Sequence, residues 1–438
     1  MPEGSRNQYV RHSSLGSGAV TCTSQSVDPN AKAGNNNNTA GEPVDLSTGL
    51  FIYTKTDLVL PDIIPLTFTR TYRTNDTRSR SFGIGTTHAY DLMVVGDGTG
   101  CTYADLILPD GSRIRYTRTS GSNCSNAVLE HSTTPTRFYK SRMMRDPNSP
   151  LVKWLIKLTD GTAYRFNPRY TGPGTDVTKL LESITDANGK TLTIYTPYTP
   201  SPVPVPDRIV TPNGRWVELT YDSQRRITKA KDNSGREVNY TYDASGRLWK
   251  VTDANNGVTT FTYDTAHRMD TITDAKGIIY LDNDYDAQGR VQKQTQADGG
   301  HFDFTYVTHG SGAITQADVT DPRGTLRRVT FNSAGYTLSD KRAVGTPEEQ
   351  TTDFTRQTNT YFIETVTDLP LNRPTSYAYD AYGNVTTVTS PPQPDGPVVT
   401  SFEYTTFDPV TFDDFSLFPV FHSTSCGGVP IDIWHSVR

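Results

Sequence analysis

The chain has 438 residues, enough for two or three ordinary domains or for one extended repeat array with a continuous core. Its net charge of -5 is small and both signs are interspersed, which gives no electrostatic footprint for nucleic acid or an acidic membrane surface. No apolar run approaches the about 18 residues that a spanning helix needs, and Met1 to Ser14 lacks the apolar centre of a secretory signal.

Hydrophobic residues make up only 34%, yet there are 24 Tyr and 17 Phe, so burial must lean on aromatic and β-branched side chains, which favours sheets over helices. In chain order, residues 1–40 are polar and rich in Gly, Ser and Asn, and are expected to be a disordered leader. Residues 41–177 are expected to form an N-terminal β domain. It begins with "PVDLSTGLFIYTKTDLVLPDIIPLTFTRTYRT", short strand-like runs broken by Gly49, Pro61 and Pro65. Asp110-Gly111 and Asp160-Gly161 each sit between alternating runs and predict hairpin turns. Cys101 and Cys124 bracket the first of these hairpins, which brings them toward each other; a disulfide and two reduced thiols both remain open.

From residue 178 to 405 a period takes over. Tyr221, Tyr242, Tyr263, Tyr285 and Tyr306 are separated by 21, 21, 22 and 21 residues, and the first four are followed by Asp222, Asp243, Asp264 and Asp286. A second turn signal falls between them, at Asp232 to Gly235, Asp253 to Gly257, Asp274 to Gly277 and Asp298 to Gly300. In "YDASGR" and "YDAQGR" the aspartate is suited to the first position of a type I turn, its carboxylate accepting backbone N–H groups. Gly246 or Gly289 then takes the left-handed position. Before the turn, Val238, Tyr240 and Tyr242 alternate with Glu237, Asn239 and Thr241, as in a sheet with one apolar face. The pattern loosens after Tyr306, with Phe331-Asn332 standing in for Tyr-Asp, and returns at Tyr379-Asp380. Two Pro-rich insertions, residues 196–207 and 390–397, read as loops at sheet margins. Residues 406–438 lose the period and are expected to be an irregular, solvated or partly packed tail.

These repeats resemble the YD repeats of bacterial Rhs (rearrangement hotspot) proteins, and "PVDLSTGLFIYTKTDLVLPDIIPLTFTRTYRT" with "SFGIGTTHAYDL" is similar to the domain that precedes the repeats in that family. The resemblance covers roughly residues 41–405. It implies an all-β fold in which a long antiparallel sheet spirals into a hollow shell, with structural roles for the Tyr and Asp residues. In toxin-bearing members the shell encloses a C-terminal toxin used in interbacterial competition, which implies secretion or cell-surface display and an effector domain or further shell segments as partners. A closed shell needs many more strands than residues 178–405 supply, so a curved, open arc with two free edges is expected.

No residue set points to catalysis, a metal or another cofactor. His422, Cys426 and His435 match no standard zinc spacing, Ser423 and Ser425 stand in no GxSxG elbow, and the aspartates are explained by turns. The chain is therefore expected to be a non-enzymatic scaffold. Two alternatives stand beside it. One is an extracellular carbohydrate- or cell-surface-binding repeat whose exposed Trp154, Trp216 and Trp249 line a groove; the other is a truncated remnant without activity of its own.

Overall fold

A computed structural model describes residues 39–97, 100–149, 153–168, 179–197, 205–310, 312–394 and 396–404, and the backbone pairing of strands Pro419–Cys426 and Val429–Ile433. Among the described residues every regular element is a β-strand. The expected leader lies outside them except for Thr39 and Ala40, which pair with Val44–Asp45.

Two sheets hold every described strand but the short pair Ser79–Arg80 and Gly83–Ile84. The smaller is antiparallel, in the order Thr39–Ala40, Val44–Asp45, Leu50–Leu60, Leu66–Arg73, Thr86–His88. Its long hairpin turns at Pro61 and Pro65, where proline removes the donors a continuing ladder would need. The larger sheet is a meander from Met93–Gly96 to Val429–Ile433, each strand antiparallel to its chain neighbours. The Asp-Gly hairpins form where expected. Tyr103–Ile107 pairs with Arg113–Ser120 and Trp154–Lys157 with Ala163–Pro168, with Gly111 at φ 79° and Gly161 at φ 83°. Cys101 and Cys124 flank the first hairpin and are joined by a disulfide, their Cα atoms 5.1 Å apart.

The larger sheet departs from the expected open arc. Strand Lys179–Thr185 pairs with Ala163–Pro168 on one side and Thr191–Tyr195 on the other, and its first residues also pair back to Met93–Gly96 (Lys179 with Val94, Leu180 with Met93). The sheet is thereby closed and barrel-like. The physical reason is that strands from residue 93 onward belong to the same sheet as the repeats, so one splayed strand can satisfy two edges.

The concave side of the repeats is filled. Phe82 packs against Tyr240 (4.7 Å between centroids), Tyr53 against Phe261 (5.9 Å) and Tyr72 against Tyr263 (6.2 Å), so the smaller sheet sits inside the curve of the larger. The sheet then winds far enough for Tyr139 to meet Phe362 edge-on at 4.8 Å. The tail also differs from expectation: Pro419–Cys426 and Val429–Ile433 pair in succession onto Val399–Tyr404, because main-chain pairing to an existing edge needs no periodic sequence. The side chains of His422 and Cys426, and all of His435, fall outside the described residues.

Candidate functional site

Each YD turn is built the same way. Asp243 Oδ1 accepts the backbone N–H of Ser245 (3.0 Å) and of Arg247 (2.9 Å), and Gly246 takes φ 84°. Asp222, Asp264 and Asp286 repeat the arrangement with Gln224 and Arg226, Ala266 and Arg268, Gln288 and Arg290. Gly289 takes φ 80°; at the other two turns the left-handed position holds Arg225 (φ 66°) and His267 (φ 64°). Asp380 does the same with Tyr382 and Asn384, and Asn332 with Ala334 and Tyr336. Burial raises the Asp243 carboxyl, but the hydrogen bonds from Arg247 and Ser245 outweigh it and hold the group below its ordinary value.

The aspartate also holds an arginine four residues on. Nε of Arg226, Arg247, Arg268 and Arg290 donates to the second oxygen of Asp222, Asp243, Asp264 and Asp286 at 2.8, 2.7, 2.6 and 2.7 Å. So fixed, each guanidinium lies over the tyrosine of the following repeat: Arg226 over Tyr242 (4.2 Å), Arg247 over Tyr263 (4.8 Å), Arg268 over Tyr285 (4.6 Å) and Arg290 over Tyr306 (5.0 Å). The phenol closes the link. Tyr242, Tyr263, Tyr285 and Tyr306 donate to the carbonyls of Ile227, Leu248, Met269 and Val291, each the residue after the arginine of the repeat before. Tyr221 and Tyr379 donate likewise to Pro206 and Ile363. Burial pushes all four inter-repeat phenols well up, so they remain donors across the ordinary pH range. Turn chemistry alone does not single out these arginines, although their constant offset from Asp is there to be read in the sequence.

A register shift accompanies each YD hairpin. Tyr221 pairs with Ile227, Tyr242 with Leu248, Tyr263 with Met269 and Tyr285 with Val291, each beside a bulge. A bulge takes an N–H out of the ladder, and the smaller sheet and its connecting loops accept three of them: Ile227 N–H donates to Ser81 O, Met269 N–H to the Tyr72 hydroxyl and Val291 N–H to Gly49 O, all at 2.8 Å. Around these contacts lies a buried polar cluster. Arg70 and Asp57, 3% and 5% exposed, form an ion pair at 2.5 Å; Tyr240 donates to the same Asp57 oxygen at 2.7 Å, and Tyr53 meets Tyr280 at 3.2 Å. Burial would lower the Arg70 guanidinium, but Asp57 carries it above its ordinary value.

The three tryptophans do not line one groove. Trp154 is 4% exposed in the core beneath the Lys179 ammonium, so it cannot contact a glycan. Trp216 is half-buried under Arg208, and Trp249 is 43% exposed because it is the extra residue of its bulge, between the pairs Tyr242–Leu248 and Thr241–Lys250. Among the described residues no three His, Cys, Asp or Glu side chains are grouped so as to hold a metal ion, and no helix is long and apolar enough to cross a membrane.

Residues 41–116 match the family model "Domain of unknown function (DUF6531)", and residues 242–279 match the model "RHS Repeat". No curated protein matches the sequence. Among solved structures, the chain is similar to the TcdB2-TccC3-Cdc42 complex, with 10% identity and a TM-score of 0.32, covering 92% of this chain and 27% of that one. It is also similar to the Tc holotoxin pore of Photorhabdus luminescens, with 12% identity and a TM-score of 0.36, covering 85% and 22%. A third is the N-terminal domain of effector protein SpvB from Salmonella typhimurium strain LT2, with 10% identity and a TM-score of 0.27, covering 64% and 100%. The chain thus spans about a quarter of the length of the first two. The chain thus carries a DUF6531 segment followed by an RHS repeat, and the tyrosines and aspartates of its repeats interlock in register.

Proposed function

We propose that the chain is a non-enzymatic wall segment of an Rhs shell that encloses and presents a C-terminal toxin or effector in interbacterial competition. The observation that carries this reading is the Tyr-Asp-Arg ladder. Its carboxylates, guanidiniums and phenols are consumed in holding one repeat to the next, which is what a wall requires and a reaction centre does not. The residues around Arg70 and Tyr240 are likewise spent on joining two sheets.

Against the repeats Tyr242 to Tyr285, the inner face is covered by side chains of residues 39–91, among them Tyr53, Tyr72 and Phe82. A chamber for cargo would be walled by further YD repeats beyond it. The test is protease protection of a reporter domain fused after residue 438. With this chain alone the reporter should be digested as fast as the free domain; with a full-length Rhs array inserted between them it should survive. A reporter digested equally fast in both cases would sink the enclosure reading, and turnover of a substrate by the purified chain would sink the non-enzymatic one.

A further inference from the structure

The smaller sheet is held inside the larger without sharing a strand ladder with it. Among what joins them are aromatic packing, the Arg70–Asp57–Tyr240 cluster and the three bulge N–H groups, with further hydrogen bonds of Asp62 with Thr211 and Asn213 and of Glu42 with Gln294. Such a contact can open while both ladders stay intact, because backbone pairing within each sheet is not interrupted.

At this contact sits a histidine that no scaffold role needs. His88 is fully buried, boxed by Phe68 (5.5 Å), Phe82 (6.3 Å) and Tyr90 (6.3 Å). Its Nδ1 accepts the Tyr90 backbone N–H at 3.2 Å, so the neutral ring carries its proton on Nε2, which lies 3.3 Å from Asp91 Oδ1. The other Asp91 oxygen accepts from the Ser81 hydroxyl at 2.6 Å, and the Ser81 carbonyl is the acceptor for the Ile227 bulge N–H. A chain of contacts therefore runs from His88 to one of the repeat-sheet contacts, its first link, Nε2 to Asp91, being electrostatic proximity without hydrogen-bond geometry.

We propose that His88 makes this contact an acid-sensitive clasp, protonation of the imidazole releasing the smaller sheet from the repeats. A second proton must go on Nδ1, where it would face the Tyr90 N–H, donor against donor, inside an aromatic box. The charged and titratable neighbours do not rescue it fully. Asp91 and Tyr90 face it from its own segment, and Arg70, its cross-strand partner, presents a fixed positive charge with Asp57 behind it. From the repeat sheet come Tyr240, beside Arg70, and Tyr221, beside Asp91. Burial pushes the imidazole below its ordinary value against a smaller opposing pull from Asp91. The closed form is therefore favoured fully above the value of a free histidine, about 6.5, and loses ground as pH falls below it.

Hydrogen exchange on the full chain tests this, compared at about pH 7.5 and about pH 5 after correction for the intrinsic pH dependence of exchange. The amides of Ile227, Met269 and Val291 should lose protection, together with residues 39–91, by up to about tenfold for each unit that pH falls below the free-histidine value, until the buried value is reached. The paired strands Glu237–Tyr242 and Leu248–Thr252 should keep theirs. In His88→Gln the pH dependence at the three amides should vanish. Should that variant not fold, Asp91→Asn carries the test, since loss of the one anion near Nε2 makes the charged ring still harder to hold in the closed form and should deepen the loss of protection at about pH 5, with the onset near the free-histidine value unchanged. Unchanged profiles in either folded variant, or uniform loss through the large sheet, would overturn the proposal. None of these outcomes depends on whether the chain walls in an effector.

Discussion

Arg268→Ala removes three contacts whose sizes can be worked from the structure. The ion pair to Asp264 is short, 2.6 Å, but both side chains are 22% exposed, so screening leaves about 0.5 kcal/mol. The bond from Nη1 to the Asp286 carbonyl, at 3.3 Å, contributes about 0.5 kcal/mol. The guanidinium 4.6 Å from the Tyr285 ring contributes about 1 kcal/mol in this half-dry setting. The expected loss is therefore about 2 kcal/mol, read as a lower urea midpoint with an unchanged slope. Combining it with Tyr285→Leu in a double-mutant cycle should return a coupling of about 1 kcal/mol. Arg268→Lys should recover less than half of the loss, because an ammonium cannot both fork to the carboxylate and lie flat on the ring. A loss below about 0.5 kcal/mol, or a coupling of zero, would refute the claim that arginine joins one repeat to the next.

Other perturbations probe other joints. Gly83→Ala would place a Cβ against the Gly246 carbonyl at a residue with φ 83°, and should destabilise by about 2 kcal/mol or more in thermal melts. Asp57→Ala strands a buried guanidinium and should cost about 3–5 kcal/mol, whereas the exposed pair Arg208–Glu218 should cost less than about 1 kcal/mol when broken, both read from urea midpoints. Replacing both Cys101 and Cys124 by Ser frees a loop spanning 23 positions in the unfolded chain and should lower stability by about 3 kcal/mol, an effect that dithiothreitol reproduces on the unmodified protein. Trp154→Ala should destabilise by about 3 kcal/mol through a cavity, with the loss appearing in chemical denaturation.

The local rules were legible in the sequence and the long-range ones were not. Asp243 and Gly246 act within five residues, so turn chemistry alone identifies them, and Asp110-Gly111 announces its hairpin for the same reason. The arginine at the fourth position is visible as a letter but not as a partner, since its ring lies in the next repeat, at Tyr263 for Arg247. The bulges are hidden because one extra residue leaves hydrophobic alternation nearly intact while turning Trp249 outward. Trp154 cannot be told from an exposed tryptophan, because strand alternation gives two faces without saying which is covered. Closure escapes for a simpler reason: the pairing of Leu180 with Met93 spans distant segments and is set by curvature, on which no short motif reports.

The direction of the ladder has a consequence for how such arrays change length. From Arg226 to Tyr306 each arginine reaches forward to the next tyrosine, and each of those tyrosines reaches back to the carbonyl beside the arginine before it. A unit of 21 or 22 residues duplicated in frame therefore arrives with one unfilled socket and one free plug, and these match those of its new neighbours. Unequal recombination can lengthen or shorten the wall without inventing an interface, provided the breakpoints keep phase. The stretch from Ser47 to Phe82, which touches several different repeats at fixed places, is where such freedom ends: a unit gained between Ile227 and Val291 would leave Ser81 and Gly49 reaching for partners a full repeat apart from where they are.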